Sequence, residues 1–272
     1  MSATGKVVIV TGGTFGIGRA ITLGLAARGH AVVAFGLEAA QVSSTAQAAI
    51  PGLRTELAGR GLAADLMEAD VAKAADVTGV VDHTLKRFGR LDAVVNNAAI
   101  GPLGTVLDTD EALYDKIMAV NLKGPYLTSR AALPHMIRQG GGSIINIGSG
   151  AGWGKPNMAV YSASKGGLVA LSAALAYDFL HAGIRVNTVI PGGGGIVSGM
   201  SLGRVGGDTA RLGKGAPGTA AGRAATGDDV ANAVAFLLSP EAETLSGTVI
   251  DVGCFSHQGG PVPARPSSDA RS

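Results

Sequence analysis

The run Val7-Val8-Ile9-Val10-Thr11-Gly12-Gly13-Thr14-Phe15-Gly16-Ile17-Gly18-Arg19-Ala20 constrains the fold of this chain more than any other segment. Four consecutive β-branched residues make an apolar run of strand length. Three glycines at G-x-x-x-G-x-G spacing follow, and a helical pattern starts at once. Strand, glycine turn and helix in that order are the build of a dinucleotide cradle. Gly12 would allow the tight turn, Gly16 would let the backbone approach a pyrophosphate, and Gly18 would let helix and strand pack closely. Thr14, Phe15 and Ile17 complete the turn, and the N–H groups of the new helix would face the phosphates. The same glycines are also what a plain loop carries in a chain holding 43 of them, so from this run alone both readings stand.

With 272 residues, the chain can form one large α/β domain or two small ones around a sizeable core, and a hydrophobic fraction of 46% fits a globular protein. A net charge of +2, 4% aromatic residues and no long Lys/Arg run argue against a nucleic-acid surface. The first apolar run is too short for a signal peptide or a membrane span, so no membrane partner is expected. Cys254 is the single cysteine, which excludes an internal disulfide and suits a reducing cytoplasm. The candidate residues include no metal ligands.

Strand-like runs recur near 6–11, 31–35, 62–66, 92–96, 143–147, 184–189 and 248–252, with helical segments filling most of the gaps. Such alternation implies parallel strands joined by right-handed crossovers. Near-continuous apolar strands such as Ala93-Val94-Val95 imply burial on both faces, hence a doubly wound α/β domain of about seven strands with helices on both sides. No repeat or linker interrupts the series, which predicts one domain over 1–255. Residues 192–226, rich in Gly, Ala, Ser and Thr, are expected to form a mobile substrate flap, and 256–272, including His257, a disordered tail.

A second constellation, Tyr161-Ser162-Ala163-Ser164-Lys165, heads an apolar helix running on through Leu168, Leu171 and Leu175. Tyr161 and Lys165 are four apart and share one helix face. A free tyrosine loses its proton near pH 10, and a neighbouring ammonium lowers that value, so the pair can pass a proton near neutral pH. Alone, a Y-x-x-x-K is more often a surface pair on an ordinary helix.

Taken together, the glycine turn, Asn96-Asn97-Ala98-Ala99 after a strand, Asn121 in a helix, Ser149 after another strand, and Tyr161 with Lys165 resemble the short-chain dehydrogenase/reductase family over about residues 4–254. The resemblance implies a single-domain Rossmann fold and an NAD(P)-dependent oxidoreductase that passes a hydride between a nicotinamide and a secondary alcohol or ketone. It also assigns roles. Tyr161 is the acid/base. Lys165 lowers its pKa and holds the nicotinamide ribose, and Ser149 donates to the substrate oxygen. Asn121 positions a water linking Lys165 to solvent. Two further readings stay open: a nucleotide-sensing binding protein without catalysis, and a dehydratase or epimerase on the same scaffold.

By the same resemblance, Asp70 and Val71 hold the adenine, and Asn97, Ala98 and Ala99 lie beside the adenosine ribose. Ala99 stands where relatives usually have glycine, which is tolerable if the backbone there avoids positive φ. Pro191 and Gly192 wall the nicotinamide, and Ser198 binds its carboxamide or a phosphate. The choice between NAD and NADP falls on Phe15, Gly36, Leu37 and Glu38. No basic group occurs there and Glu38 would oppose a 2′-phosphate, so NAD is favoured with NADP possible, unless Arg60 or Lys6 folds over the site.

Gly150, Trp153, Asn157, Met158, Gly193 and Met200 are expected to line the substrate pocket, favouring a neutral or weakly polar alcohol or ketone. Trp153 is equally readable as a packing residue. The helices around 109–136 and 161–180 carry more apolar residues than one core-facing stripe needs, which predicts a homo-oligomer, a tetramer by resemblance.

Overall fold

The computed structural model describes residues 5–38, 49–192, 196, 200–201, 208 and 219–253. Seven all-parallel strands form one sheet: β1 (Val7–Thr11), β2 (Ala31–Gly36), β3 (Asp65–Glu68), β4 (Ala93–Asn96), β5 (Gly142–Ile147), β6 (Ile184–Ile190) and β7 (Val249–Asp251), in the order β3-β2-β1-β4-β5-β6-β7. The connecting helices are α1 (Gly16–Ala27), α2 (Ala49–Gly59), α3 (Ala74–Phe88), α4 (Glu111–Met118), α5 (Gly124–Arg138), α6 (Ala159–Asp178) and α7 (Gly227–Leu238).

Both faces of the sheet are dry because successive strand residues alternate between two cores. Val8 and Val10 of β1 share one core with Ile21 and Leu25 of α1, Leu53 of α2 and Val234 of α7. Ile9 between them shares the other with Val80 of α3, Met136 of α5 and Ala176 of α6. This is the two-sided burial that the unbroken apolar strands require. Strand order reverses between β1 and β4, and a crevice at the carboxyl ends of strands at such a switch point is where α/β sheets bind ligands.

Three expectations need correction. The third strand lies at Asp65–Glu68, three residues beyond the start expected at 62–66. Leu62 still closes α2, its N–H donating to Leu57 O at 2.8 Å. As an edge strand, β3 takes its register from β2 alone, with Leu66 opposite Ala34. The helix expected over 109–136 is interrupted at Ala119–Lys123, a π turn in which the Gly124 N–H reaches back five residues to Ala119 O. π turns inside helices often mark functional positions, and Asn121 occupies this one. Finally, Ile196 and Ala225, inside the expected 192–226 flap, are buried in the core under α1, α2 and α7. Most of that flap, Cys254 and the tail at 256–272 lie outside the described residues.

Among the described residues α6 is the one helix long and apolar enough to cross a membrane by length and composition. Its residues Leu168 and Ala176 are buried in the domain, while Ala174 and Tyr177 face outward.

Candidate active site

The glycine turn after β1 is built by close approach. Gly12 has φ +59°, and a Cβ there would lie 2.9 Å from the Ala98 Cα. A Cβ on Gly18 would lie 2.0 Å from the Gly12 carbonyl oxygen, so helix and turn touch as the sequence implies. Gly16, at φ +55°, is needed first for its left-handed backbone. Asn97 stitches the turn to β4, its Nδ2 donating to Thr11 O at 3.0 Å and Gly12 O at 3.1 Å. In return, Thr11 Oγ1 accepts from the backbone N–H groups of Asn97 and Ala98 at 3.0 and 2.9 Å.

These contacts fit a dinucleotide phosphate. Helix α1 begins at Phe15 with no side-chain cap and no acid in its first turn, whereas α4 is capped by Asp110 and α7 by Thr226 and Asp229. The amino end of α1 therefore keeps N–H groups and dipole for an anion. Thr14 is buried, and Phe15 and Ile17 are half-buried. Ala99 does not adopt positive φ, so its methyl is accommodated as expected; Asn157 is the one non-glycine residue that does, among the described residues.

Gly36 finishes β2, where an added Cβ would lie 2.9 Å from Thr14 Oγ1, so a side chain there would require Thr14 to shift. Leu37 and Glu38, both half-buried, follow it. Arg60 is ion-paired to Glu56, which also holds Arg19. Lys6 precedes β1, at the opposite end of the sheet from the glycine turn. Asp70 Oδ1 accepts from Ala72 N at 2.9 Å, and the Asp70 N–H donates to Asp76 Oδ2 at 2.9 Å. Val71 is buried where a Cβ on Gly124 would lie 2.9 Å from its Cγ2. A Cβ on Gly192 would lie 1.7 Å from the Gly253 Cα, so only glycine lets the turn after Pro191 pack there. Ser198 lies outside the described residues.

Tyr161 and Lys165, one turn apart on α6, are buried at 6% and 2% exposure. Lys165 Nζ lies 5.9 Å from the Tyr161 ring centroid and donates to the Ile147 carbonyl at 2.8 Å. Burial pushes the Lys165 ammonium down to about 8, because a charge taken from water is penalised. It stays largely protonated at neutral pH. Ser149 follows β5 and starts a 3-10 turn, its Oγ accepting from Ala151 N at 3.1 Å. With a lone pair so engaged, the hydroxyl proton is left to donate outward. The turn rests on α6 through two glycines, since a Cβ on Gly152 would lie 3.1 Å from Gly166 N.

The Asn121 side chain is committed to protein: Oδ1 accepts from Ile100 N at 2.9 Å, while Nδ2 donates to Ile100 O at 2.8 Å and Ser164 Oγ at 3.0 Å. Ser164 Oγ donates to Tyr161 O at 2.7 Å. Asn121 thus ties the Tyr161 turn of α6 to the loop at Ile100 after β4, and its side chain makes no hydrogen bond to Lys165.

Of the expected pocket residues, Gly150 is buried, Met158 half-buried and Asn157 exposed; Asn157 O accepts from Gly104 N at 2.8 Å. Met200 comes to the Tyr161 ring at Gly101, and Gly193 lies outside the described residues. Trp153 is 49% exposed and so is not a core residue. Sequence reasoning missed Gly101, Ser164, the Ile147 carbonyl and a buried polar chain under the site. In that chain Thr128 Oγ1 donates to Asn96 Oδ1, Asn96 Nδ2 to Asn146 Oδ1 at 2.8 Å, and Asn146 Nδ2 to Ser172 Oγ at 2.8 Å. The polar character of Asn96 and Asn146 inside apolar strands was the available signal.

The family model described as enoyl-(acyl carrier protein) reductase matches residues 12–254. The 2-(S)-hydroxypropyl-CoM dehydrogenase 3 of Xanthobacter autotrophicus is 38% identical over 256 residues, covering 91% of this chain and 94% of that protein. A solved structure from Burkholderia xenovorans assigned to the short-chain dehydrogenases/reductases superposes with a TM-score of 0.80 at 28% identity, covering 95% of this chain and 99% of that one. This chain belongs to the short-chain dehydrogenase/reductase family. Like its relatives, this dehydrogenase/reductase is an NAD(P)-dependent oxidoreductase of alcohol and ketone groups. The 3-oxoacyl-[acyl-carrier-protein] reductase of Staphylococcus aureus is 34% identical over 264 residues, covering 91% of this chain and 96% of that protein. An actinorhodin polyketide ketoreductase solved with NADPH superposes with a TM-score of 0.81 at 27% identity, covering 93% of this chain and 97% of the other.

Proposed function

We propose that this enzyme interconverts a neutral or weakly polar secondary alcohol and its ketone, with Tyr161 as the proton carrier and NAD as the preferred cofactor. The observation that carries the reading is Lys165, a lysine buried beside Tyr161 on the catalytic helix and bonded to a main-chain carbonyl. A sensor protein has no use for an ammonium held at such a penalty, whereas a phenol that must lose its proton near neutrality does.

In this reading, Gly12, Thr14, Phe15, Gly16, Ile17 and Gly18 hold the pyrophosphate, Asp70, Val71, Asn97, Ala98 and Ala99 the adenosine, and Pro191, Gly192 and Ser198 the nicotinamide. The nicotinamide, when bound, supplies the hydride acceptor or donor. Ser149 Oγ donates to the substrate oxygen as charge develops there. Tyr161 takes the hydroxyl proton on oxidation and returns it on reduction, and the Lys165 ammonium favours its phenolate. Asn121 acts at one remove, holding the Tyr161 turn through Ser164.

Support for NAD is electrostatic. Leu37 is apolar, Glu38 would repel a 2′-phosphate, and Arg19 and Arg60 are committed to Glu56. Support for a weakly polar substrate comes from the exposed apolar side chains Leu103, Val106 and Leu107 after β4 and Trp153 after β5. Exposed Tyr126 and Ile137 on α5 and Tyr177 on α6 support a homo-oligomer, taken as a tetramer, that covers both helices. A reducing cytoplasm is the setting proposed.

The test crosses NAD and NADP with a panel of secondary alcohols and ketones and follows the reduced-nicotinamide absorbance. Net NADH formation from an apolar alcohol is expected. Turnover without net cofactor change would move the reading to an epimerase or dehydratase, and no turnover to a binding protein.

A further inference from the structure

The segment joining β4 to α4 crosses the site as a strap pinned at two points. At one end, Asn121 bonds both the N–H and the carbonyl of Ile100, at 2.9 and 2.8 Å. At the other, the Gly104 N–H donates to Asn157 O at 2.8 Å, and Gly104 forms a β-bridge with Met158 at the head of α6. Between the pins sits Gly101. A Cβ there would lie 2.5 Å from Met200 Sδ, 2.9 Å from Tyr161 Cδ2 and 3.0 Å from Tyr161 Cε2. The strap, the Tyr161 ring and Met200 therefore meet in a notch the size of a missing methyl group.

We propose that Gly101 is a positioning residue for the catalytic tyrosine: its lack of a side chain sets how far the Tyr161 ring lies from the strap, and so where its hydroxyl meets the substrate. The inference rests on the reading of Tyr161 as proton carrier. The two crowded neighbours respond differently to an added methyl. Met200 Sδ is near the end of a flexible side chain and moves aside easily. The main chain of Tyr161 is held through Ser164 and Asn121, and the strap is pinned next door at Ile100, so relief falls on the torsions of the Tyr161 ring itself. The strain is thus transferred to the ring, and a displacement of a few tenths of an ångström at a proton-transfer group lowers the rate far more than it weakens binding.

The experiment compares Gly101→Ala, Met200→Ala and the double variant with native enzyme. Gly101→Ala is expected to lower kcat by about tenfold to a hundredfold, with the cofactor KM and the urea midpoint near native. It is also expected to shift the pH at which the Tyr161 phenol ionises, read by ultraviolet difference absorbance against Tyr161→Phe. Adding Met200→Ala should not restore the rate. A native kcat in Gly101→Ala, or full recovery in the double variant, overturns the proposal. The phenol titration needs no substrate: if the native enzyme turns over no alcohol or ketone, the functional reading fails, while an unshifted phenol in Gly101→Ala overturns the positioning role by itself.

Discussion

Replacing Lys165 by Met removes a buried charge while keeping a long side chain, and the consequence for stability can be worked from the structure. The Lys165 ammonium is pushed from 10.5 to about 8 by burial. Between those values the unfolded chain binds the proton and the folded chain does not, so stability rises with pH across that window. Below about pH 8 both states are protonated, and the folded chain carries the whole penalty of the buried charge. At about 1.4 kcal/mol per pH unit the penalty is about 3 kcal/mol. The Met variant has no such titration. Its stability relative to native should therefore be greatest near pH 7, and that difference should shrink by about 3 kcal/mol on going to pH 10.5. Loss of the bond to Ile147 O lowers the variant at every pH and drops out of the difference. The measurement is urea unfolding at several pH values, with both chains also carrying Tyr161→Phe so that the phenol does not titrate in the same range. Parallel curves, with a gap constant to about 1 kcal/mol, would refute the argument that burial dominates at Lys165. The same titration predicts that support for the Tyr161 phenolate fades above about pH 8, as Lys165 loses its charge.

Gly18→Ala places a methyl 2.0 Å from the Gly12 carbonyl oxygen, so cofactor affinity should fall by at least about tenfold in a fluorescence titration, with unfolding also easier. Asn146→Leu leaves the buried Asn96 Nδ2 donor without its acceptor, while Ser172 keeps its bond to Leu168 O, and should lower stability by about 2 kcal/mol in urea. Light scattering at micromolar concentration should give a tetramer mass for the native enzyme and a smaller species for Tyr177→Glu, since Tyr177 is 82% exposed on the outer face of α6.

Much of the fold was legible because β-branched runs such as Val7 to Val10 have few other uses in a three-layered α/β domain. The edge strand β3 slipped because its register comes from pairing with Ala34 and Phe35, which no local pattern encodes. The π turn was hidden for a related reason: an amphipathic pattern continues through it, and only the fit of Asn121 between Ile100 and Ser164 explains the bulge. At the site, the four-residue spacing of Tyr161 and Lys165 was a local fact and carried over unchanged. Contacts between distant segments were not legible. The Ile147 carbonyl that receives Lys165, the glycine pair that seats the Ser149 turn on α6, and the notch at Gly101 join segments that fall together only after the sheet has formed.

The most direct test of hydride transfer coupled to proton transfer at Tyr161 is the rate of reduced-nicotinamide formation from a secondary alcohol, native against Tyr161→Phe, at saturating cofactor. Native enzyme should turn over, and the Phe variant should be slower by roughly a hundredfold to ten-thousandfold while binding the cofactor as tightly. A Phe variant with the native rate would contradict the account.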